Sequence, residues 1–510
     1  MIAIFRVDSS KDIGTGHIMR CLALADELIR KSVVSYFICR DLPGNIHTTI
    51  ISRGYKVFLL PLTSPYASPL HDADYASWLQ TSQEKDAIDF IEYLKKINLL
   101  QDKLIIVDHY SLNFVWESYV KKHASLIVAI DDLVREHNVD IIIDQTLDRH
   151  ANEYNHCRNI RKILTGSDYA LIRTQFYSKR ELSFNSQPTD KKMNIFISMG
   201  GFDNKKTLPL ILNALFNHIP SWLNKITIIL NGSSPNFREV KHLIEAESKS
   251  IELISFIDDM PEFMLDYALA IGAPGSTTWE RASMGIPAIL IPIAENQNDV
   301  AKSYLAHKAG KVMNPDEISN NLIFELNNLK ENYVEMRKLN YLITDGLGIR
   351  RVIHEFWPRK AKDGNDVSLR KATLKDIQLV YTWQCQPNTR RYARNPAIPS
   401  QDEHTLWMKY KLADPQCYFY IINHDTAPSG VIRLDRLSSF CYEISIFIDE
   451  MKQNLAIAKQ ALLLINELHA EVDIYATVMQ DNSASQALFT SVHYKKISET
   501  EFKLGKRIYE

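Results

Sequence analysis

Through the first 180 residues, short apolar runs alternate with longer stretches whose apolar positions recur every three or four residues. The runs at 2–5, 34–38, 56–60, 104–107, 126–130 and 141–143 predict strands. Their near-continuous hydrophobicity suits a mainly parallel sheet covered by helices on both faces. A second strand–helix series follows at 194–198, 226–230, 251–254, 269–271 and 288–291 and closes with a helical return over 341–357. Between the two series the polar stretch 179–192, which holds Ser183, Asn185, Ser186 and Pro188, reads as a linker. Past the turn-rich segment 358–366 the pattern changes to strands at 367–370, 417–422, 430–435, 442–448, 473–479 and near 494–497, with helices at 374–384, 456–468 and 484–491. The expected fold class is α/β: Rossmann-like lobes over 1–180 and 190–357, then an α+β domain over 367–507. Two such lobes make a cleft between their carboxyl-end loops.

Composition narrows the function classes. A chain of 510 residues is too long for one hydrophobic core. Its 59 Lys and Arg nearly balance 61 Asp and Glu, so no global field recruits nucleic acid or an anionic membrane. Six scattered cysteines form no CxxC pair and read as reduced thiols. Neither a leader-like segment nor a run of about 20 apolar residues is present, so a cytoplasmic protein is expected. Tight histidine spacings such as HExxH are missing, and no metal site is expected.

The candidate chemistry begins just after the first strand, at Ile13–Cys21, IGTGHIMRC. Gly14 and Gly16 allow a tight turn and close approach of a ligand to the backbone, and the N–H groups of the helix that follows favour anions. Ile18, Leu22, Ala25 and Ile29 share one helical face, which leaves His17 at the mouth of the sheet. A neutral imidazole there can take a proton from water; the plain alternative is a helix-starting turn with His17 as its cap. Arg6 and Asp8 end the first strand, and Asp108 opens Asp108-His109-Tyr110 after the strand at 104–107. With His17 and Arg20 they form a candidate polar site, unless Arg6, Asp8 and Asp108 merely satisfy loop backbone groups. In the second lobe, Gly200 and Gly201 make one glycine turn and Gly272–Glu280 another. Amides at Gly275, Ser276 and Thr277 suit a diphosphate, and Glu280 suits a ribose diol. Thr277 and Glu280 also have the spacing of a capping box, which spacing alone favours.

Residues 1 to about 355 resemble the nucleotide-sugar hydrolases of pseudaminic acid biosynthesis. The matching stretches are FRVDSSKDIGTGHIMRCLALADEL from Phe5, VDHY at 107–110, IDDL at 130–133, GSDYALIRTQF at 166–176, SMGGFD at 198–203 and APGSTTWERASMGIPAILIPIAENQ at 273–297. The resemblance implies a GT-B-type fold similar to the murein glycosyltransferases, and removal of UDP from UDP-2,4-diacetamido-2,4,6-trideoxy-β-L-altropyranose. It further implies that His17 activates water, that Tyr110 belongs to the sugar site, that Glu280 contacts the ribose of UDP, and that Asn296 and Gln297 touch ligand. Phe202 departs from the small residue usual after Gly200-Gly201, which bears on the local sugar contacts.

Residues 367–507 resemble the GNAT acetyltransferase superfamily. Gln453-Asn454-Leu455-Ala456-Ile457-Ala458 is similar to its Q/R-x-x-G-x-G/A loop, which implies that Gln453, Ala456 and Ala458 bind the pyrophosphate of acetyl-CoA as co-substrate. Asp481–Phe489 is similar to its N-x-x-A/S-x-x-L-Y stretch, which brings in Asn482 and puts Phe489 where a proton-donating tyrosine is usual. Segments 381–384, 390–392 and 403–407 resemble the amino-sugar N-acetyltransferase of the same pathway. Glu443 is the candidate base for the sugar ammonium, or else an outward-facing polar residue of an alternating strand. The reading is a bifunctional enzyme that acetylates a UDP-linked 4-amino sugar and hydrolyses the product, free of nucleic acid and membrane partners. Its alternatives are a hydrolase with a non-catalytic GNAT module, and a neighbouring nonulosonate pathway with another acyl group.

Overall fold

The computed structural model describes residues 1–62, 64–71, 73–96, 101–186, 193–200, 207–247 and 251–507. The chain divides into two units, Met1–Val352 and Ile353–Glu510.

The first unit holds two parallel sheets. In the first, β1 (Ile2–Val7), β2 (Val34–Arg40), β3 (Lys56–Leu60), β4 (Lys103–Asp108), β5 (Leu126–Ile130), β6 (Ile141–Asp144) and β7 (Lys162–Thr165) lie in the order β3-β2-β1-β4-β5-β6-β7. Every residue of β1 is buried, as expected for a central strand covered on both faces. The unexpected strand is β7, four residues at the sheet edge beginning on a lysine, too short and polar to show as an apolar run. Strand order reverses between β1 and β4, so their carboxyl ends bound a crevice.

The second sheet contains β8 (Met193–Ser198), β9 (Leu223–Ile229), β10 (Ile251–Ile254), β11 (Leu269–Gly272), β12 (Ala288–Leu290) and β13 (Lys311–Val312), in the order β10-β9-β8-β11-β12-β13. Here the reversal falls between β8 and β11, whose ends lead into Met199-Gly200 and Ala273–Gly275. The two Rossmann-like lobes are those of the expected fold class. Part of the segment read as a linker is helix: Gln175–Ser183 carries the buried Arg180, which donates to the carbonyls of Ser283 at 3.0 Å and Tyr341 at 2.9 Å. The helical return is two helices, Tyr333–Ile343 and Gly348–Phe356. The second reaches back to the first lobe, where Arg350 Nε donates to Glu27 at 3.1 Å.

The second unit is built on one mixed sheet. Its strands are β14 (Arg359–Lys360), β15 (Asp366–Lys371), β16 (Cys417–His424), β17 (Ala427–Ser438), β18 (Cys441–Ile448), β19 (Asp473–Thr477), β20 (Lys495–Lys496) and β21 (Glu501–Leu504), ordered β14-β15-β16-β17-β18-β19-β21-β20. One pair is parallel: β18 meets β19 over Cys441–Glu443, and beyond Glu443 the ladder stops. The loop after β18 enters the helix Ile457–Leu468 through Ala456, in the left-handed region at φ 61°. An L-residue there costs about 1–2 kcal/mol. Ala456→Gly is therefore expected to stabilise this unit by about 1 kcal/mol, read as a higher thermal midpoint; a lower midpoint would contradict the strain. Among the described residues no helix is long and apolar enough to cross a membrane.

Candidate active site

The crevice at the ends of β1 and β4 assembles a polar cluster. Gly14, at φ +79°, closes a tight turn in which its N–H donates to the Ser10 carbonyl at 2.9 Å. The helix Gly16–Ile29 starts without a side-chain cap, and His17 is its second residue. The imidazole Nδ1 lies 2.6 Å from Asp108 Oδ1 and 3.3 Å from Arg20 Nη2. The shorter contact assigns the proton to Nδ1, donated to Asp108, and makes Nε2 the basic nitrogen. No described residue hydrogen-bonds Nε2. Arg20 grips the same carboxylate with Nε at 2.6 Å and Nη2 at 2.7 Å. Burial alone would raise the Asp108 carboxyl, but Arg20 and then His17 outweigh it and hold it well below the usual carboxylate range. Tyr110 sets its ring edge-on to His17 with centroids 4.6 Å apart, and Trp78 stacks on Tyr110 at 5.5 Å.

Arg6 and Asp8, expected to bind substrate, are instead found tied into the interior of the lobe. Both are fully buried behind the crevice. Arg6 makes a two-pronged contact with Asp86, Nε to Oδ1 at 2.9 Å and Nη2 to Oδ2 at 2.7 Å, and also binds Asp8. Asp8 accepts the Arg40 backbone N–H at 2.6 Å. Their hydrogen-bonding atoms are used within the lobe's interior. Three neighbours of Tyr110 were missed: Asp132, which accepts its hydroxyl at 2.8 Å, and Trp78 and Tyr75, whose ring centroids lie 5.5 and 5.1 Å from its own. Asp132 follows the end of β5 just as Asp108 ends β4, so the strand-end rule could have found it; the two aromatics lie in a short turn, Tyr75–Leu79, that carries no apolar period.

In the second lobe, the helix Ser276–Ser283 opens at Gly275, whose extended backbone makes no side-chain cap. Thr277 is thus its second residue, and the capping box with Glu280 does not form. Among the described residues no donor reaches the Glu280 carboxylate; burial pushes it up, opposed by Arg173 and Arg281. Behind the turn the buried Arg281 donates to the Ala273 carbonyl at 3.2 Å, and a Cβ on Gly272 would stand 2.5 Å from its Nη1. Burial pushes this guanidinium down to about 10. Ser276 and Thr277 are half-buried; Gly200 is exposed at φ +95°, and Gly201 lies outside the described residues. Asn296 reaches the first lobe, with Nδ2 3.5 Å from the Tyr110 hydroxyl, while Gln297 turns its carbonyl onto its own loop, accepting Ile293 N–H at 2.9 Å.

In the second unit, Gln453 is exposed, Ala456 and Ala458 are half-buried, and the helix beyond them begins without a side-chain cap. Glu443 is no free base: its carboxylate is paired with Arg394 and accepts the Thr477 hydroxyl at 2.8 Å. Asn482 is occupied as a helix cap, accepting Ser485 N–H at 3.0 Å. Phe489 is buried against Tyr494 and Phe502. Among the described residues no group of three or more His, Cys, Asp or Glu is placed to hold a metal ion.

Comparison with known proteins fits this division. Residues 208–339 match the family model of the glycosyltransferase family 28 C-terminal domain, and residues 366–495 that of the acetyltransferase (GNAT) domain. An uncharacterized protein of Methanocaldococcus jannaschii is 22% identical over 96% of both chains. The UDP-2,4-diacetamido-2,4,6-trideoxy-beta-L-altropyranose hydrolase of Campylobacter jejuni is 29% identical over 47% of this chain and 73% of its own. The spore coat polysaccharide biosynthesis protein SpsG of Bacillus subtilis is 23% identical over 69% of this chain and 96% of its own. The chain is a homologue of the last two proteins, fused to a GNAT domain.

Proposed function

We propose that the chain is a cytoplasmic bifunctional enzyme of nucleotide-sugar metabolism. The first unit hydrolyses UDP-2,4-diacetamido-2,4,6-trideoxy-β-L-altropyranose to free sugar and UDP, and the second N-acetylates the preceding UDP-linked 4-amino sugar. The observation that carries the hydrolytic reading is His17, fixed through Nδ1 by Asp108 with Nε2 left for water. Water oxygen bonds to the anomeric carbon, the bond from that carbon to the UDP oxygen breaks with its electron pair going to the diphosphate, and Nε2 takes the water proton. Asp108 stabilises the imidazolium that results. The uncapped helix start after Gly275 favours the departing diphosphate, and Glu280 accepts the ribose hydroxyls. Glu280→Gln is expected to weaken UDP binding roughly ten- to hundredfold by titration calorimetry, since hydrogen bonds to a charged group contribute about 1.5–3 kcal/mol; unchanged affinity would contradict the ribose contact.

In the GNAT domain the parting of β18 and β19 and the uncapped helix start at Ile457 fit acetyl-CoA, with Gln453, Ala456 and Ala458 on its pyrophosphate. Acetyl-CoA supplies the acetyl group. Glu443 takes the ammonium proton of the sugar only when its pair with Arg394 opens. A second reading, a GNAT module that binds sugar without catalysis, is favoured by Phe489, which puts a buried phenyl ring where a phenol would protonate the thiolate. Mass spectrometry of the full chain with the UDP-linked 4-amino sugar, with and without acetyl-CoA, separates the two. Free diacetamido sugar plus UDP that depends on acetyl-CoA supports both activities. Hydrolysis of only the pre-acetylated substrate supports the binding module, and no turnover of either contradicts the pathway assignment.

A further inference from the structure

We infer that Asp132 is a positioning residue that ties the orientation of His17 to the seating of the second lobe, an inference that rests on the hydrolytic reading above. One oxygen of this side chain, Oδ2, accepts from Arg20 Nη1 at 2.6 Å and from the Tyr110 hydroxyl at 2.8 Å. Those two residues are the neighbours that hold the imidazole. Arg20 spends its other nitrogens on Asp108, which holds Nδ1, and the Tyr110 ring stands edge-on to the imidazole. A shift of Asp132 therefore moves both supports of His17 together.

The second lobe reaches the same residue along two routes. Asn296 Nδ2 lies 3.5 Å from the Tyr110 hydroxyl. Arg149 donates from Nη2 to the backbone carbonyl of Asp132 at 3.2 Å, and that same nitrogen stands 3.6 Å from Asp299 of the second lobe. Asn296 and Asp299 belong to one continuous stretch, the turn Glu295–Gln297 and the helix Asn298–Ala306. Movement of that stretch is felt at both ends of Asp132, its carboxylate and its carbonyl.

Neutralising charge does not explain why an aspartate stands here. Arg20 is already paired with Asp108 through two nitrogens. The extra carboxylate carries costs: its Oδ1 is buried without a hydrogen-bond partner among the described residues. Its charge also adds to burial in pushing the nearby Asp144 carboxyl upward. A group that raises the energy of its surroundings and duplicates an existing pairing is explained by the geometry it imposes.

The test uses the full chain and the diacetamido UDP-sugar. Asp132→Asn keeps the shape and can keep an oxygen at the Oδ2 position, but it removes the charge that binds Arg20 and Tyr110 there and puts an N–H group at the buried Oδ1 position, where no described residue accepts it. It is expected to lower kcat about 10- to 100-fold, the scale of a misplacement near 1 Å, with KM within about threefold and no fall in melting temperature. Tyr110→Phe leaves the carboxylate intact and is expected to lower kcat several-fold at unchanged KM. Asp299→Ala is expected to lower kcat in the natural chain and to have no further effect on Asp132→Asn, the non-additivity of two residues acting on one element. A normal kcat in Asp132→Asn, or an equal rise in KM with a lower melting temperature in both Asp132→Asn and Tyr110→Phe, overturns the positioning role. Normal turnover by His17→Ala overturns the hydrolytic reading itself, whatever Asp132→Asn does.

Discussion

His17→Ala is expected to lower the rate of UDP release about 10²- to 10⁴-fold, the range for loss of a positioned general base, while UDP affinity changes less than about twofold. The separation follows from where the parts sit. The imidazole belongs to the first lobe, 2.6 Å from Asp108, whereas the helix start after Gly275 and the Glu280 carboxylate belong to the second. Truncation does not strand a buried charge, because Asp108 keeps both donors from Arg20 at 2.6 and 2.7 Å. The variant is therefore expected to fold, with a kcat defect and little else. Steady-state UDP release beside calorimetric UDP binding measures the two effects, and near-normal release would reject His17 as base.

Asp86→Ala is expected to destabilise the first lobe by about 3–5 kcal/mol, the cost of breaking a buried ion pair from one side. Asp86 accepts from Arg6, from Arg40, and from the Trp116 indole at 3.0 Å, and the side chains of Arg6, Arg40 and Asp86 are all 0% exposed. Without it, the Arg6 guanidinium keeps Asp8, while the Arg40 guanidinium is left with the Pro61 carbonyl at 2.8 Å and the Asp89 carboxylate 3.8 Å away. A chain of several lobes does not unfold in one step. The measurement is accordingly hydrogen exchange over Ile2–Val7, where protection should collapse, with Asp86→Asn intermediate; full protection in Asp86→Ala would contradict the network's role.

How far the sequence carries can be judged from these same residues. Central strands such as β1 and β4 were legible because they are buried on both faces, and the edge strands β7, β13 and β14 were not, being short and partly polar. The end-of-strand rule put Asp108 beside His17, yet the same rule put Arg6 and Asp8 in the cleft. Arg6 lies in β1 and Asp8 just past its end, both fully buried, and the partner that draws Arg6 in lies 80 residues away on the helix Gln83–Lys96, which no local pattern reveals. Capping shows the same limit. The spacing Thr277–Glu280 suggested a box that is not formed, because the helix begins at Ser276 behind Gly275. An actual box at Ser400 and Glu403 starts the helix Gln401–Leu412, which the apolar pattern had left unread. Asp132 was within reach of the end-of-strand rule, but its link to the second lobe through Arg149 and Asn296 was not.

Hydrolysis in ¹⁸O-enriched water, followed by phosphorus NMR and mass spectrometry of the UDP, tests most directly whether water bound by His17 attacks the anomeric carbon. UDP phosphates do not exchange their oxygens with water on this timescale, so the label records which bond broke. Unlabelled UDP beside free diacetamido sugar is the expected result. Label in the β-phosphate would mean attack at phosphorus, and would contradict the role given to His17 and its neighbours.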